Sequence, residues 1–246
     1  MVEVARTLAG EELDRGVLFA AFDAEEPPNF RQNTMGSREW VRRPTVPLDQ
    51  VDLMICMDLV GRELGPTGTP DDVRQTVFAL GAEQSRGTSA HVDALARQIP
   101  GVVVRRLDAE TIPPLSDYEA FWTNKIPFLF LSCAHGRHYH TTNDIPAWLN
   151  WERMESTVHW LERFVRETCA RTEPKIEWVE NVRDDASTLR SFGDIAASLA
   201  DIKPRPIEGL EGASELLAAC GKDGRLPDEL RPQLMMLVEM LEEGMA

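Results

Sequence analysis

The chain has 246 residues and a net charge of −15, from 41 acidic and 26 basic side chains. This length suits one α/β domain, or a domain of about 170 residues with an appendage. The acidic balance disfavours nucleic acid and anionic lipid as partners. No apolar run is long enough to cross a bilayer, so the sequence predicts a soluble chain with no membrane partner.

Cysteine usage and the first residues bear on the cellular compartment. The four cysteines are scattered without a CxxC pair, which gives little support for disulfides. The first 20 residues lack the features of a secretory signal, so we expect a cytoplasmic chain if Met1 is the natural start.

The hydrophobic pattern alternates between strands and helices. A short amphipathic helix without a capping residue opens the chain at 1–9. Two apolar runs of strand length, at 16–23 and 51–58, each end in an acidic residue. Such runs are typical of central strands buried on two faces. After these two central strands, the pattern predicts, in chain order, helices near 71–84 and 90–98, a strand at 102–107, a short helix after Ser116-Asp117, and a strand at 126–133.

A long amphipathic helix at 151–170 completes the predicted domain. Its apolar face carries Trp151, Met154, Val158, Leu161 and Val165, as in a helix that lies on a sheet. This alternation predicts a three-layer α/β/α sandwich with a mixed, mostly parallel central sheet, over residues 1–171.

The character of the sequence changes beyond this helix. Prolines 174, 204, 206 and 227 separate three weakly amphipathic helical pieces, and no strand is predicted there. We therefore predict a helical C-terminal extension, residues 172–246. Its last helix bears an apolar face that could cap the domain or pair copies of the chain; the face comprises Leu234, Met235, Leu237, Val238 and Leu241.

Acidic and histidine side chains gather where the predicted strands end. Glu25 and Glu26 follow the first strand, Asp58 follows the second, and a loop at 133–146 holds three histidines. Sites in open α/β sheets lie at the carboxyl ends of strands, and imidazole with carboxylate is a ligand mixture that zinc accepts. Simpler interpretations stay open: Asp58 could cap a helix, the two glutamates could be solvated surface, and not all three histidines need bind.

Five segments, in order and with fitting spacing over about residues 1–170, resemble the signatures of the co-catalytic zinc aminopeptidases, the family-twenty-eight metallopeptidases. The remaining residues, from 172 onward, are not covered by the resemblance. The segments are FDAEE at 22–26, MGS at 35–37, ICMDLVG at 55–61, SDYEAFWTNKIP at 116–127 and HYHTTND at 138–144.

The resemblance implies a zinc exopeptidase-like fold, a peptide substrate and two zinc ions per complete site. It makes Glu25 the general base that acts on a metal-bridging water. It makes Glu26 and His140 ligands of one zinc and Asp58 a ligand of the other, with Tyr139 donating to the developing oxyanion.

Asp117 and Asp144 also match family positions. There they would support the metal ligands or form the wall of the substrate pocket, although either could equally cap a helix or a turn.

The sequence also departs from the family pattern. The family uses a histidine in an H-x-D element and a bridging aspartate, whereas this chain has no histidine before His91 and no suitable aspartate upstream of Asp23. Two protein ligands for one zinc and one for the other fall short of the three or four that hold zinc firmly. We therefore expect weak metal binding and feeble activity at best, and a natural protein that begins before Met1.

Two other functions remain open. A single-zinc glutaminyl cyclase-type aminoacyltransferase on the same fold would need one aspartate, one glutamate and one histidine. A non-catalytic domain could also have kept the fold after losing its ligands.

Overall fold

The computed structural model describes residues 1–136, 138–200 and 206–245. Within these residues, the chain forms a four-stranded sheet flanked by helices. The strands are β1 (Met54–Met57), β2 (Thr76–Leu80), β3 (Val103–Leu107) and β4 (Phe128–Ser132). The helices are α1 (Val2–Leu8), α2 (Gly36–Arg42), α3 (Asp71–Arg74), α4 (Thr88–Leu95), α5 (Tyr118–Trp122), α6 (Trp151–Cys169), α7 (Asp185–Leu199), α8 (Pro206–Ala219) and α9 (Arg231–Met245).

The sheet is mixed and mostly parallel, in the order β1-β4-β2-β3. β1 runs parallel to β4 and β2 runs parallel to β3, while β2 and β4 are antiparallel. β2 and β4 are the central strands, and all ten of their residues are buried. This burial on both faces accounts for their continuous apolar sequences.

Each face of the sheet carries its own hydrophobic core. On one face, Val77, Leu129 and Leu131 pack with Val4 of α1 and Trp160 of α6. On the other face, aromatic side chains of the sheet and of α5 pack with apolar side chains of α7 and α9. The two cores confirm the predicted three-layer α/β/α sandwich.

The interior face of α6 is partly different from the predicted one. Leu161 and Val165 are buried as expected, but Trp151 at the first helical position is 63% exposed. Asn150 caps the helix by accepting a hydrogen bond from the Arg153 backbone N–H. The buried apolar stripe is instead centred on Trp160 and Phe164, which pack in the same core as Leu129 and Leu131 of the sheet, while the buried residue of the first turn is the polar Arg153.

The prediction of a central strand at 16–23 is wrong. The segment has no regular secondary structure in the described chain, and Leu18 is 57% exposed. A strand that is apolar on both faces needs hydrogen-bonding neighbours as well as covered faces. Here only Phe22, near the end of the run, packs with Trp40 and Phe121 in a small separate cluster.

The predicted helix near 71–84 is also wrong. Its first four residues form α3, the chain enters β2 directly after Gln75, and a single 3-10 turn at Ala82–Gln84 follows the strand. The TVFAL segment is rich in β-branched and aromatic residues, which favour a strand, and it fills the position between β3 and β4. Pairing with two neighbours outweighs the weak helical pattern of this stretch.

The C-terminal extension is helical, as predicted, and it packs against the sheet. Ile195 and Leu199 of α7 belong to the same core as Phe78 and Phe128. Leu234, on the predicted apolar face of α9, is buried against α7 and α8, so part of that face is covered within the chain. Pro204 lies outside the described residues, and the division at residue 171 stays a prediction.

Two smaller observations concern the cysteines and the helix lengths. All four cysteines are free. None of the helices in the described part of the chain has the length and apolar character needed to span a membrane.

Candidate functional site

Two parallel strands bring Asp58 close to the histidine loop. β1 and β4 run side by side, so their carboxyl ends lie at the same edge of the sheet. Asp58 follows β1 directly, and its backbone N–H donates to the Leu131 carbonyl oxygen at 3.1 Å. The loop that begins at Cys133 therefore leaves the sheet next to Asp58.

The turn that carries Glu25 and Glu26 is held by the start of α2. The Gly36 N–H donates to the Asp23 carbonyl oxygen at 2.9 Å. A Cβ atom at position 36 would lie only 2.8 Å from the Asp23 backbone nitrogen, so this approach requires glycine. Ala24 adopts a left-handed conformation with φ of 55°, which turns the chain sharply before the two glutamates.

His140 meets Glu26 across the site. Its Nε2 lies 3.1 Å from Glu26 Oε1, which joins positions 114 residues apart in the chain. Both side chains are more than half exposed, at 56% for His140 and 65% for Glu26. A polar contact this exposed adds little stability, and the exposure leaves both side chains accessible to a ligand.

The acidic side chains around Glu25 perturb its ionisation. Burial raises the pKa of Glu25 to about 7, and the charges of Asp58, Glu26 and Asp117 add to the rise, whereas a hydrogen bond from Ser116 opposes it. Burial also raises the pKa of Asp117, with the Asp58 carboxylate contributing to the rise. Several carboxylates crowded in this way favour the binding of a cation.

Tyr139 faces the same acidic group. Partial burial raises the pKa of its phenol, and the nearby Glu26, Asp58 and Glu25 carboxylates raise it further. Its ring stacks between those of His135 and His140, with centroid distances of 4.2 Å and 3.9 Å. Tyr139 therefore keeps its proton at neutral pH and can donate a hydrogen bond toward the cluster.

Six of the seven predicted site residues thus lie together, and we name them the strand-end cluster: Glu25, Glu26, Asp58, Asp117, Tyr139 and His140. The seventh, Asp144, is not among the main charges that shift the pKa of Glu25, Asp117 or Tyr139. Asp144 is exposed and lies close to Arg62. Burial lowers the pKa of the Arg62 guanidinium, whereas the Asp144 carboxylate raises it. The other predicted histidines have neighbours of their own, with His138 stacked on Trp148 and His135 paired with Glu242.

Backbone geometry marks the same region. Leu59, Ala134 and His140 adopt left-handed conformations with φ between 55° and 61°. Such conformations are unfavourable for residues with a Cβ and concentrate at functional sites. They turn the chain just after β1 and β4.

The strand-end cluster fits zinc in the type of its donors but not in their number. Glu26, Asp58 and His140 offer carboxylate and imidazole groups, which zinc accepts. Within the described part of the chain, however, no group of three or more histidine, cysteine, aspartate or glutamate side chains is arranged to hold a metal ion.

Sequence reasoning assigned no role to two neighbours of the cluster. Ser116 lies at the base of the cluster, where it hydrogen-bonds Glu25 and contacts the Cys56 sulfur at 3.7 Å. Asp23 lies close enough to raise the pKa of Asp117, although burial and the Asp58 carboxylate raise it more. Both residues stand inside the quoted segments FDAEE and SDYEAFWTNKIP, so their position beside the matched residues was the available signal.

Solved structures of three aminopeptidases are similar to this fold. The aminopeptidase from Aneurinibacillus sp. strain AM-1 has a TM-score of 0.55 at 20% identity, over 73% of this chain and 40% of that one. BSAP, a zinc aminopeptidase from Bacillus subtilis, has a TM-score of 0.54 at 18% identity, over 73% of this chain and 42% of that one. LapA from Legionella pneumophila has a TM-score of 0.55 at 20% identity, over 70% and 44%.

Sequence comparison gives a relative and a family. The uncharacterized protein YfbL of Escherichia coli K12 is 24% identical over 175 residues, which cover 64% of this chain and 53% of that protein. The present chain thus spans about half the length of this curated relative. The profile of peptidase family M28 matches residues 1–165, which is more than half of the chain. The chain belongs to peptidase family M28.

Proposed function

We propose that this chain carries part of the catalytic site of a metal-dependent exopeptidase of the aminopeptidase type, which hydrolyses N-terminal peptide bonds. The observation that carries the proposal is the 3.1 Å approach of His140 to Glu26, beside Glu25 and Asp58. Four residues, of the types that metallopeptidase chemistry needs, come from three separate segments to one edge of the sheet.

The proposed division of roles is the one that the family resemblance implies, and the positions of the residues support it. Glu25 is half-buried behind the exposed Glu26, where its carboxylate can take a proton from water and pass it to the leaving amine. Tyr139 donates to the oxygen that gains charge as the carbonyl is attacked. Glu26 and His140 would hold one zinc and Asp58 the other, and zinc bound there would supply Lewis acidity and a more acidic water.

The number of ligands limits the expected affinity for metal. Firm zinc sites use three or four protein ligands, whereas the family resemblance assigns two ligands of this chain to one ion and one to the other. We propose that this chain binds zinc weakly and hydrolyses peptides feebly on its own. Asp117 and Asp144 would act as supporting or pocket-wall residues.

Zinc stoichiometry is the first test. The purified chain is equilibrated with zinc, freed of excess ion and analysed for metal content. We expect at most about one loosely held zinc per chain, less in His140→Ala, and no change in His159→Ala, a matched control at an exposed position on α6. Two firmly held zinc ions per chain would contradict weak binding, and equal zinc content in His140→Ala and the wild type would remove His140 from the metal site.

Activity separates the competing functions. In saturating zinc, we expect release of an N-terminal amino acid from a peptide amide, and Glu25→Gln to lower that rate by about 100-fold or more with unchanged zinc content. Cyclisation of an N-terminal glutamine without peptide hydrolysis would identify the aminoacyltransferase alternative. If neither reaction responds to Glu25→Gln, the fold serves a non-catalytic role.

A further inference from the structure

An apolar cavity of about 170 Å³ adjoins the strand-end cluster. Asp58 and Tyr139 form part of its wall, so the cavity and the cluster share a boundary. On the sheet side, the cavity is lined by Phe78, Leu80 and Phe130. A molecule held at the cluster can therefore extend directly into an apolar space.

The opposite wall of this cavity comes from the C-terminal extension. Phe192 of α7 lines it together with Val238, Leu241 and Met245 of α9. All four residues lie beyond the region that the M28 profile matches. Leu241 and Met245 also join the core formed by Phe78 and Phe130, so this wall packs directly on the sheet.

Polar contacts at its C-terminal end fix α9 in this place. The Met245 carbonyl oxygen accepts a hydrogen bond from the Gly65 N–H at 3.1 Å, and the Met245 side chain is buried. One turn earlier, Glu242 Oε1 lies 2.9 Å from His135 Nδ1, and the His135 ring stacks on Tyr139. The helix is thus anchored to the loop that carries two residues of the cluster.

The volume of the cavity limits what it can hold. Dry apolar cavities of about 150 Å³ accept benzene, whereas whole drug-sized ligands occupy about 300–1,000 Å³. A space of about 170 Å³ therefore suits one side chain of the size of leucine, methionine or phenylalanine. A charged side chain would lose its hydration against the apolar part of the wall, which includes Leu80, Phe130 and Leu241.

We propose that α9 forms the outer wall of the substrate side-chain pocket, and that Leu241 restricts the pocket to medium-sized apolar N-terminal side chains. This inference rests on the proposed aminopeptidase function for the identity of the ligand. The position of α9 as a wall of the cavity follows from the packing of the C-terminal extension and does not depend on that function. The role of a specificity-determining residue thus falls on a segment outside the family match.

Ligand binding to the full chain in saturating zinc tests the inference. NMR titrations compare leucinamide with glycinamide, which differ only in the side chain. We expect the wild type to bind leucinamide about 10-fold or more tightly, because burial of a leucine side chain is worth that much. Leu241→Trp fills the cavity and should reduce the affinity for leucinamide to that for glycinamide.

Two further variants control for altered folding. Met240→Trp places the same bulk on the neighbouring residue of α9, which is 49% exposed, and should keep the leucinamide preference. Leu241→Ala enlarges the cavity and should increase the affinity for tryptophanamide relative to leucinamide. Equal affinities for leucinamide and glycinamide in the wild type, or an unchanged preference in Leu241→Trp, would overturn the inference.

Benzene serves as a probe that needs neither metal nor the strand-end cluster. We expect it to bind the wild type and Met240→Trp but not Leu241→Trp. Failure of benzene to bind the wild type would overturn the inference that the cavity is a binding pocket. If benzene binds but neither amide does, the proposed function and the substrate preference are refuted, whereas the cavity remains. Failure of the proposed function can thus be distinguished from failure of the cavity.

Discussion

Glu83 follows β2 and is buried, with its Oε1 accepting a hydrogen bond from the Ala109 N–H at 2.9 Å. Burial raises the pKa of Glu83 to about 8, and the nearby Asp108 carboxylate raises it further. The folded chain therefore keeps a proton that the unfolded chain releases above about pH 4.5. Proton release on unfolding means that stability falls as the pH rises from about 4.5 to about 8.

Substitution of Glu83 by glutamine should remove this dependence on pH. The amide oxygen can keep the bond to Ala109, and it carries no charge at any pH. We expect Glu83→Gln to raise the free energy of unfolding at pH 8.5 by about 1–3 kcal/mol relative to the wild type, and by less at pH 5. Urea unfolding at both pH values measures the difference, with Glu229→Gln at an exposed position as control. An equal effect at both pH values would contradict the assigned ionisation.

At the scale of single elements, α6 shows how burial and sequence pattern differ. Trp160 is 1% exposed, donates from its indole N–H to the Leu95 carbonyl oxygen at 3.1 Å, and stacks on Phe164. Trp151 lies on the same helix and shares the residue type, but it is exposed to solvent. The two tryptophans therefore form a matched pair that separates packing from helix propensity.

We expect Trp160→Ala to destabilise the chain by about 3–5 kcal/mol, because it leaves a cavity between α6 and α4. Trp151→Ala should change the free energy of unfolding by only about 0.5 kcal/mol, as is usual for exposed positions. Chemical denaturation monitored by circular dichroism measures both values. Similar losses in the two variants would show that the sheet lies under a different face of α6.

At the scale of the whole molecule, the C-terminal extension and the sheet share one core. Ile195 and Leu199 of α7 pack with Phe78 and Phe128 of the sheet. Ion pairs reinforce this contact: Arg106 of β3 lies 2.7 Å from Asp184, and Arg105 lies 3.1 Å from Asp194. Removal of the extension would expose the apolar face of the sheet that α7 and α9 cover.

We therefore expect residues 1–171 and 172–246 to unfold together. Calorimetry of the full chain should give a single transition with equal calorimetric and van't Hoff enthalpies. A variant that ends at residue 171 should bind a hydrophobic dye and lose its cooperative transition. Two resolved transitions in the full chain, or cooperative unfolding of the shortened variant, would show that the extension is an independent domain.

Much of the fold could be predicted from local patterns. The sequence identified β1, β3, β4, α1, α4, α5 and α6, mostly because burial on one or two faces leaves a period that is visible in the chain. It failed at β2, where a short apolar run fits either a helix or a strand and only pairing with β3 and β4 decides. It failed again at 16–23, whose apolar pattern fits a strand although the described chain gives it no strand neighbours.

By itself, the sequence determined the chemistry available to this protein: acidic and histidine side chains after apolar strands, in segments that resemble one peptidase family. Only the tertiary structure decided which of them meet, since the contact of His140 with Glu26 joins residues 114 positions apart. It also placed Asp144 beside Arg62 and Leu241 of the extension in the wall of the apolar cavity. Local sequence records the burial of each side chain, whereas the partner that buries it depends on the path of the whole chain.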